Sequence, residues 1–272
     1  MEVLDVRPCR EESESRGSGR DAEALEGWVV AVSLSFLETC RKWWDRDFST
    51  FPSDNIGLYR YNAQTKADYY DYILSRLTNV EDAYFPFYVP TITKDWTEKQ
   101  KQDVIIRRLF LDIDVRENEE GKKDTLESIW EKGRFFAKRF WPNVELFFSA
   151  GKGFHFYVHI VPTTYGELRE HRETLYWNLS TWLQYLIDKR TFISLDRICR
   201  ITLTKHSVDP DFPTPIRWKV PIRPEMSMTE ILRYSQFPKH FKADFQRLYE
   251  RPIEPLDYKI FLRSPHELLR KI

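Results

Sequence analysis

The order of hydrophobic periods between residues 107 and 204 constrains the fold of this chain more than any other feature of its sequence. Alternation of apolar and polar side chains predicts four strands, over residues 107–115, 144–149, 154–161 and 197–204. Helical spacing predicts two helices, over residues 125–140 and 165–188. Ala150-Gly151-Lys152-Gly153 has the composition of a hairpin turn, so we expect the second and third strands to pair directly.

This β-α-β-β-α-β order is typical of an α+β fold, the split βαβ plan of ferredoxin-like and RNA-recognition-like proteins, in which helices cover one face of an antiparallel sheet and the fourth strand lies beside the first. Weaker patterns on the flanks predict helices over 23–46, 67–77, 228–234 and 240–249, and strands over 56–61 and 216–222. We therefore expect a mobile polar tail (1–22) and one domain (23–272), composed of a mixed α/β N-terminal lobe (about 23–105), an RNA-recognition-like lobe (about 106–222) and a helical C-terminal part (about 223–272).

Composition excludes several classes of protein. The 272-residue chain has no run of 18 apolar residues and no signal peptide, so we expect no membrane contact and a cytoplasmic protein (nuclear if eukaryotic) that is not secreted. Three cysteines, at positions 9, 40 and 199, can form neither a disulfide framework nor a four-cysteine zinc site. The net charge is zero, but residues 197–251 contain eleven basic against six acidic residues, which indicates either a nucleic-acid surface or a solvated face.

Asp112 and Asp114 are the sharpest candidates for chemistry. Two residues apart on a strand, their carboxylates share one face and could hold one or two hard cations. Like charges at the end of a buried strand are costly unless a cation compensates them. The alternative is a pair of solvated carboxylates where the strand emerges into the acidic loop at 117–120.

The segment 149–155 is a candidate phosphate site. Its small residues expose backbone N–H groups, and Ser149, Lys152 and His155 project nearby. The spacing is not that of a P-loop, and an ordinary hairpin with a structural histidine remains the alternative.

The segment 195–206 supplies a third group. Asp196 opens the predicted fourth strand, which would bring it close to Asp112 and Asp114. On that strand Arg197 and Arg200 point opposite ways, and one face carries Arg200, Thr202, Thr204 and His206. Arg200 could instead be a simple counter-ion for a carboxylate.

Taken together, these segments resemble the archaeo-eukaryotic primase superfamily, which includes primase catalytic subunits, plasmid and viral primase–polymerases, and the polymerase domain of bacterial end-joining ligases. The shared motifs are Asp-x-Asp at 112–114, Ser-x-Gly-x-Gly-x-His at 149–155, and Asp196 followed by Arg-x-x-Arg and a histidine at 197, 200 and 206. The likeness covers roughly residues 56–222 and includes the stretch 217–221. The chain departs from the family at Thr202, Leu203 and Thr204, where a proline and a glycine are usual, and it lacks the cysteine cluster of many replicative primases. The compact plasmid or viral type is therefore the nearer likeness.

The resemblance implies a template-directed nucleotidyltransferase, a DNA primase or polymerase in replication, that uses two Mg²⁺ or Mn²⁺ ions. Its implied partners are single-stranded DNA, nucleoside triphosphates, and a helicase or other replication subunits. Its implied metal ligands and catalytic residues are Asp112, Asp114 and Asp196. Its implied triphosphate ligands are Ser149, Gly151, Lys152, His155, Arg200 and His206.

Template contacts are expected from the basic segment at Lys219 and Arg223, or from the N-terminal lobe at Arg60. Three other functions stay open. A non-catalytic RNA-recognition module would use exposed aromatic residues on the sheet, such as Phe110 with Tyr157 or Phe156. An end-joining repair polymerase domain and a nucleotide cyclase would keep the metal chemistry and change the substrate.

Overall fold

The structure of this protein, a computed structural model, describes residues 36–48, 55–58, 63–79, 83–88, 95–115, 124–206 and 217–269. The predicted tail, 1–22, and the start of the predicted helix at 23 lie outside these residues. The chain divides into two compact units, Met1–Glu38 and Thr39–Ile272. Only residues 36–38 of the first unit are described, so the account below concerns the second.

The elements follow in an order that matches most of the sequence pattern. The helices are α1 (36–47), α2 (Lys66–Asn79), α3 (Glu98–Gln102), α4 (Leu126–Arg139), α5 (Tyr165–Glu170), α6 (Arg172–Trp182), α7 (Met228–Gln236), α8 (Lys242–Glu250) and α9 (Pro265–Leu269). The strands are β1 (Asn55–Leu58), β2 (Ala63–Thr65), β3 (Tyr84–Pro86), β4 (Ile105–Asp114), β5 (Val144–Phe148), β6 (Gly153–Thr164), β7 (Ile198–Arg200) and β8 (Val220–Ile222). Short 3₁₀ turns lie at Pro238–Phe241 and Tyr258–Leu262.

The fold is mixed α+β with antiparallel sheets, as predicted. Its central sheet has the strand order β4-β6-β5-β8, and every pairing in it is antiparallel. The small sheets β1-β2 and β3-β7 are separate from it. The predicted hairpin between the second and third strands is confirmed, because Phe148 pairs with Phe154 across the turn.

Helices cover the face of the central sheet that carries the odd-numbered residues of β4. Trp130 of α4 stacks on Phe154 at 5.0 Å between ring centroids, and Phe136 stacks on Phe156 at 6.3 Å. Thr125 caps the first turn of α4 by accepting from the backbone N–H of Ser128. All four aromatic positions here follow from the helix and strand periods read in the sequence.

The opposite face of the sheet is covered as well. Phe87, just after β3, contacts Phe110 of β4 at 5.1 Å and Tyr157 of β6 at 4.8 Å. Trp43 of α1 packs edge-on against Phe147 of β5 at 5.8 Å. The central sheet therefore lies between a helical layer and a layer made of α1 and the β3-β7 sheet.

The predicted place of the fourth strand is wrong. β7 pairs with β3, not with β4, and it is only three residues long. Beyond Arg200 the alternation fails because Leu203 takes φ 56, so Thr202 and Thr204 do not extend a strand face. Both threonines are buried and hydrogen-bonded internally: Thr202 N donates to Asp47 Oδ2 at 2.8 Å, and Thr204 Oγ1 donates to the Ile201 carbonyl at 2.7 Å.

The place beside β4 is taken by an earlier segment. The predicted helix 165–188 is two helices and ends at Trp182, after which Ile187 forms an antiparallel bridge with Ile113. Ile187, and not the predicted segment 197–204, thus pairs with β4. None of the helices in the described ranges is both long and apolar enough to cross a membrane.

Candidate active site

Strand β4 presents Asp112 and Asp114 on the same face of the central sheet. Asp112 pairs with His155 of β6, and Asp114 pairs with Gly153. Asp112 is 6% exposed and Asp114 is half-buried. Both line a cavity of about 190 Å³. The other residues lining that cavity are Tyr84, Ser149, Gly151, Lys152, His155, Arg197, Ile198, Cys199, Arg200 and His206.

The turn between β5 and β6 forms one wall of the cavity. Ala150 takes the left-handed conformation, φ 70, and Ser149 Oγ donates to the Gly153 carbonyl at 2.8 Å. A Cβ on Gly153 would lie 2.0 Å from the Ile113 carbonyl and 2.4 Å from Asp114 Oδ1. Glycine at this position therefore lets the hairpin lie directly against the Asp114 carboxylate.

The turn also meets the segment after β7. A Cβ on Gly151 would lie 3.0 Å from His206 Nε2, so the imidazole rests against the turn. Arg200 donates through Nη1 to the Ser149 carbonyl and through Nη2 to the Tyr84 hydroxyl at 3.4 Å. The fold thus brings the predicted phosphate ligands Ser149, Gly151, Lys152, His155, Arg200 and His206 together around one cavity.

Arg197, which the sequence pattern placed on the opposite face from Arg200, lines the same cavity. Its Nη2 donates to Asp112 Oδ2, and its guanidinium lies 4.8 Å from the centre of the Phe110 ring. Arg197 precedes β7, so the alternation of a strand does not apply to it. The other Asp112 oxygen, Oδ1, is 3.6 Å from His155 Nε2.

Asp188, which sequence reasoning missed, lies opposite Asp112. Its amide donates to the Asp112 carbonyl at 3.0 Å, next to the bridge between Ile113 and Ile187. Residues opposite each other in an antiparallel pair point to the same face, so the two carboxylates are neighbours. Neither Asp188 nor Asp196 is among the residues that line the cavity: Asp188 is half-buried and its Oδ1 accepts from the Arg190 amide at 3.0 Å, and Asp196 is exposed. The sequence pattern placed Asp188 at the end of the predicted helix 165–188, whereas α6 ends at Trp182.

Burial and charge set the protonation of the two central groups. Burial, the largest cause, raises the pKa of Asp112 from 3.8 to about 6; Arg197 opposes the rise, and Asp114 and Asp188 add to it. Burial and the cations of Lys219, Arg197 and Arg200 hold the pKa of His155 well below its usual 6.5. His155 is therefore a neutral imidazole at pH 7.

Lys219 does not face solvent, which contradicts its predicted role in contacting template. It is 0% exposed, and its Nζ donates to the Arg200 carbonyl at 2.7 Å and to the Tyr157 hydroxyl. Cys199 lies next to this ammonium, at 3.5 Å, and its Sγ is 3.3 Å from His155 Nδ1. Lys219 therefore stabilises the site through buried hydrogen bonds. Of the other template candidates, Arg223 is exposed and Arg60 lies outside the described residues.

The donor set fits a hard divalent cation. Asp112, Asp114 and Asp188 offer the carboxylate oxygens that Mg²⁺ and Mn²⁺ prefer, and their repulsion raises the pKa of Asp112. Across the described ranges, no three histidine, cysteine or acidic side chains already form a metal-binding group. The Asp112 carboxylate is instead bound to Arg197.

The chain has no significant match among protein-family models, curated proteins or solved structures.

Proposed function

We propose that this protein is a template-directed nucleotidyltransferase of the primase–polymerase kind, which joins nucleoside triphosphates on single-stranded DNA with two Mg²⁺ or Mn²⁺ ions. The observation that carries the proposal is that acidic and basic side chains line one cavity. Asp112 and Asp114 share its wall with Lys152, Arg197 and Arg200. Carboxylates that could hold divalent cations, next to cations that could bind phosphate, are what transfer from a nucleoside triphosphate needs.

The carboxylates suit the reacting α-phosphate. Divalent ions held there would supply Lewis-acid stabilisation of the charge that develops on the attacking and leaving oxygens. Asp112, Asp114 and Asp188 would hold these ions. Because the hairpin lies directly against Asp114 at Gly153, the carboxylates and the phosphate-binding turn keep a fixed separation.

The basic residues around the turn suit the β- and γ-phosphates. Arg200 is fixed by the Ser149 carbonyl and Tyr84, so it meets the ligand without first being ordered. Neutral His155 can donate a hydrogen bond to phosphate without carrying a charge that would repel the cations. Lys152, exposed at the tip of the turn, adds a cation that can move with the ligand.

A non-catalytic RNA-recognition module has less support. Such a module stacks bases on aromatic rings exposed on its sheet. Phe110, Tyr157 and Phe156 are all 0% exposed here. Layers on both faces of the sheet cover these rings.

An incorporation assay tests the proposal directly. Labelled ribo- and deoxynucleoside triphosphates are incubated with a single-stranded template and Mg²⁺ or Mn²⁺, with and without a primer. Wild type should extend or start strands, and Asp114→Asn should not, while keeping the wild-type melting temperature within a few degrees. The matched control is Asp196→Asn, an exposed acid outside the cavity. Wild type that incorporates no nucleotide under any of these conditions, or Asp114→Asn at wild-type rate, would refute the proposal.

A further inference from the structure

An exposed aromatic pair lies at the edge of the helical layer. Trp177 of α6 is 53% exposed and Tyr185, in the turn after α6, is 58% exposed. Their ring centroids are 6.5 Å apart and their planes cross at 71°. Single exposed aromatic residues are ordinary, but two in contact on one surface indicate a binding role.

The turn that carries Tyr185 is held in an unusual backbone conformation. Gln184 and Tyr185 both take positive φ, 51 and 66, and the Tyr185 amide donates to the Ser180 carbonyl at 2.6 Å. Left-handed conformations are unfavourable for residues with a Cβ, and tyrosine is not among those that adopt them readily. The ring is 58% exposed, so burial does not offset the cost of this conformation.

Cations accompany the rings. The Nζ of Lys189 lies 5.5 Å from the Trp177 ring centre and 2.9 Å from Glu173 Oε2. Both members of this ion pair are about half exposed, 48% and 59%, and such pairs are weak in water. A phosphate can therefore displace Glu173 from Lys189. The neighbouring Arg190 is exposed as well.

This surface is close in sequence to the candidate active site. Two residues, Leu186 and Ile187, separate Tyr185 from Asp188, whose amide donates to the Asp112 carbonyl. Asp188 faces the side of the sheet that carries the cavity, and Tyr185 stands at the same sheet edge. A nucleic-acid strand that passes over the two rings would therefore reach Asp112 and Asp114 around that edge of the sheet.

We infer that Trp177, Tyr185 and Lys189 form a platform for single-stranded nucleic acid, on which bases stack and phosphates meet Lys189 and Arg190. Exposed rings beside cations are what sequence-tolerant single-strand binding requires. This inference rests on the proposed function and assigns the template or product strand a path to the same site. The platform could not be predicted from the sequence, because its two rings are eight positions apart and meet only through the turn after α6.

Fluorescence anisotropy with a labelled oligo(dT) tests the platform without catalysis. Trp177→Ala and Tyr185→Ala should each weaken binding by roughly fivefold or more, since one stacked base is lost. Trp177→Phe should restore most of the affinity, because a ring remains. Phe237→Ala, at a site of equal exposure that stacks on His240, is the matched control and should bind as wild type does. Each variant's melting temperature checks its folding.

The outcomes separate this inference from the proposed function. Asp114→Asn should bind oligo(dT) like wild type while it incorporates no nucleotide. A wild type that incorporates nucleotides, together with platform variants that bind as tightly as wild type, overturns the platform alone. The same holds if the variants lose only self-association or binding to another protein. A wild type that neither binds nor incorporates overturns both.

Discussion

The amide of Asp188 donates a hydrogen bond to the carbonyl oxygen of Asp112 at 3.0 Å, which sets two acidic side chains on one face of the sheet edge. Asp188 also adds to the rise in the pKa of Asp112, as its neighbour Asp114 does. Asp188 is therefore a second candidate, beside Asp196, for the third carboxylate of the site.

The first prediction separates these two acids. Asp188→Asn should lower incorporation by roughly 100-fold or more, because a ligand to catalytic cations is worth several kcal/mol in the transition state. Asp196→Asn should keep activity near wild type. Steady-state rates at saturating metal and triphosphate check this. The reverse order of effects would restore Asp196 as the third carboxylate.

The second prediction concerns the hairpin glycines. Gly153→Ala should lower the free energy of unfolding by about 1–3 kcal/mol or more and abolish activity, because its Cβ would meet the Ile113 backbone at 2.0 Å. Gly151→Ala meets the movable His206 ring at 3.0 Å and should chiefly raise the KM for triphosphate. Denaturant unfolding and kinetics of both variants test this. If Gly151→Ala lowered the free energy of unfolding as much as Gly153→Ala does, the His206 ring would be unable to move away from the new Cβ.

The third prediction concerns Arg197 and metal. Because its guanidinium holds Asp112 in this structure, Arg197→Ala should tighten Mn²⁺ binding several-fold while raising the KM for triphosphate about tenfold. Calorimetric titration of Mn²⁺ into the protein without nucleotide measures the first effect. Arg200 donates to the Ser149 carbonyl, so Arg200→Ala should change the affinity for Mn²⁺ less than Arg197→Ala does. Weaker Mn²⁺ binding in Arg197→Ala would contradict the idea that Arg197 and Mn²⁺ compete for the Asp112 carboxylate.

The fourth prediction uses the buried pair of Glu145 and His159, whose Oε2 and Nε2 are 2.6 Å apart. Burial acts to raise the pKa of Glu145, but His159, Arg46 and Arg108 outweigh it and lower the pKa from 4.5 to about 2. The ionised form is thus favoured in the folded protein. Ionised Glu145 therefore adds on the order of 3 kcal/mol to the free energy of unfolding above pH 4.5, and this stabilisation is lost as the pH falls towards 2.

Urea unfolding between pH 2.5 and 6 measures this loss. Glu145→Gln should be less stable than wild type at pH 6 and should have a flatter acid limb. A wild type and a variant with parallel pH profiles would show that Glu145 does not govern this range.

The fifth prediction distinguishes Lys219, a buried residue that stabilises the fold, from Arg223, an exposed residue that could contact the template. Lys219→Ala should lower the free energy of unfolding by about 2–5 kcal/mol, since it removes a fully buried side chain and its hydrogen bonds to Tyr157 and Arg200. Arg223→Ala, at an exposed position, should leave stability unchanged. If Arg223 contacts template, its loss should flatten the slope of log K against log salt by roughly 0.7 for single-stranded DNA. A salt slope equal to wild type would leave Arg223 as a solvated side chain.

The local elements of the fold were readable from the sequence. The periods at 125–140, 144–149 and 154–161 predicted α4 and β5 to within one residue and β6 to within three, because each element buries a regular face. The pairing of β5 with β6 followed from the turn at 150–153, and Asp112, Asp114 and His155 followed from alternation on the strands.

Contacts between distant segments were decided only by the tertiary structure. The sequence by itself determined which side chains share a strand face, since alternation is a local property of the backbone. It could not determine which segment lies beside β4, because residues 165–188 had the spacing of a helix and residues 197–204 alternated like a strand. In the structure Ile187 bridges Ile113 and Ile198 pairs with Pro86 of β3, so the residue opposite Asp112 is Asp188 and not Asp196. The burial of Lys219 could not be predicted either. The sequence pattern indicated a surface cation, but in the structure its ammonium is enclosed by the Tyr157 hydroxyl and the Arg200 carbonyl, which are distant in sequence.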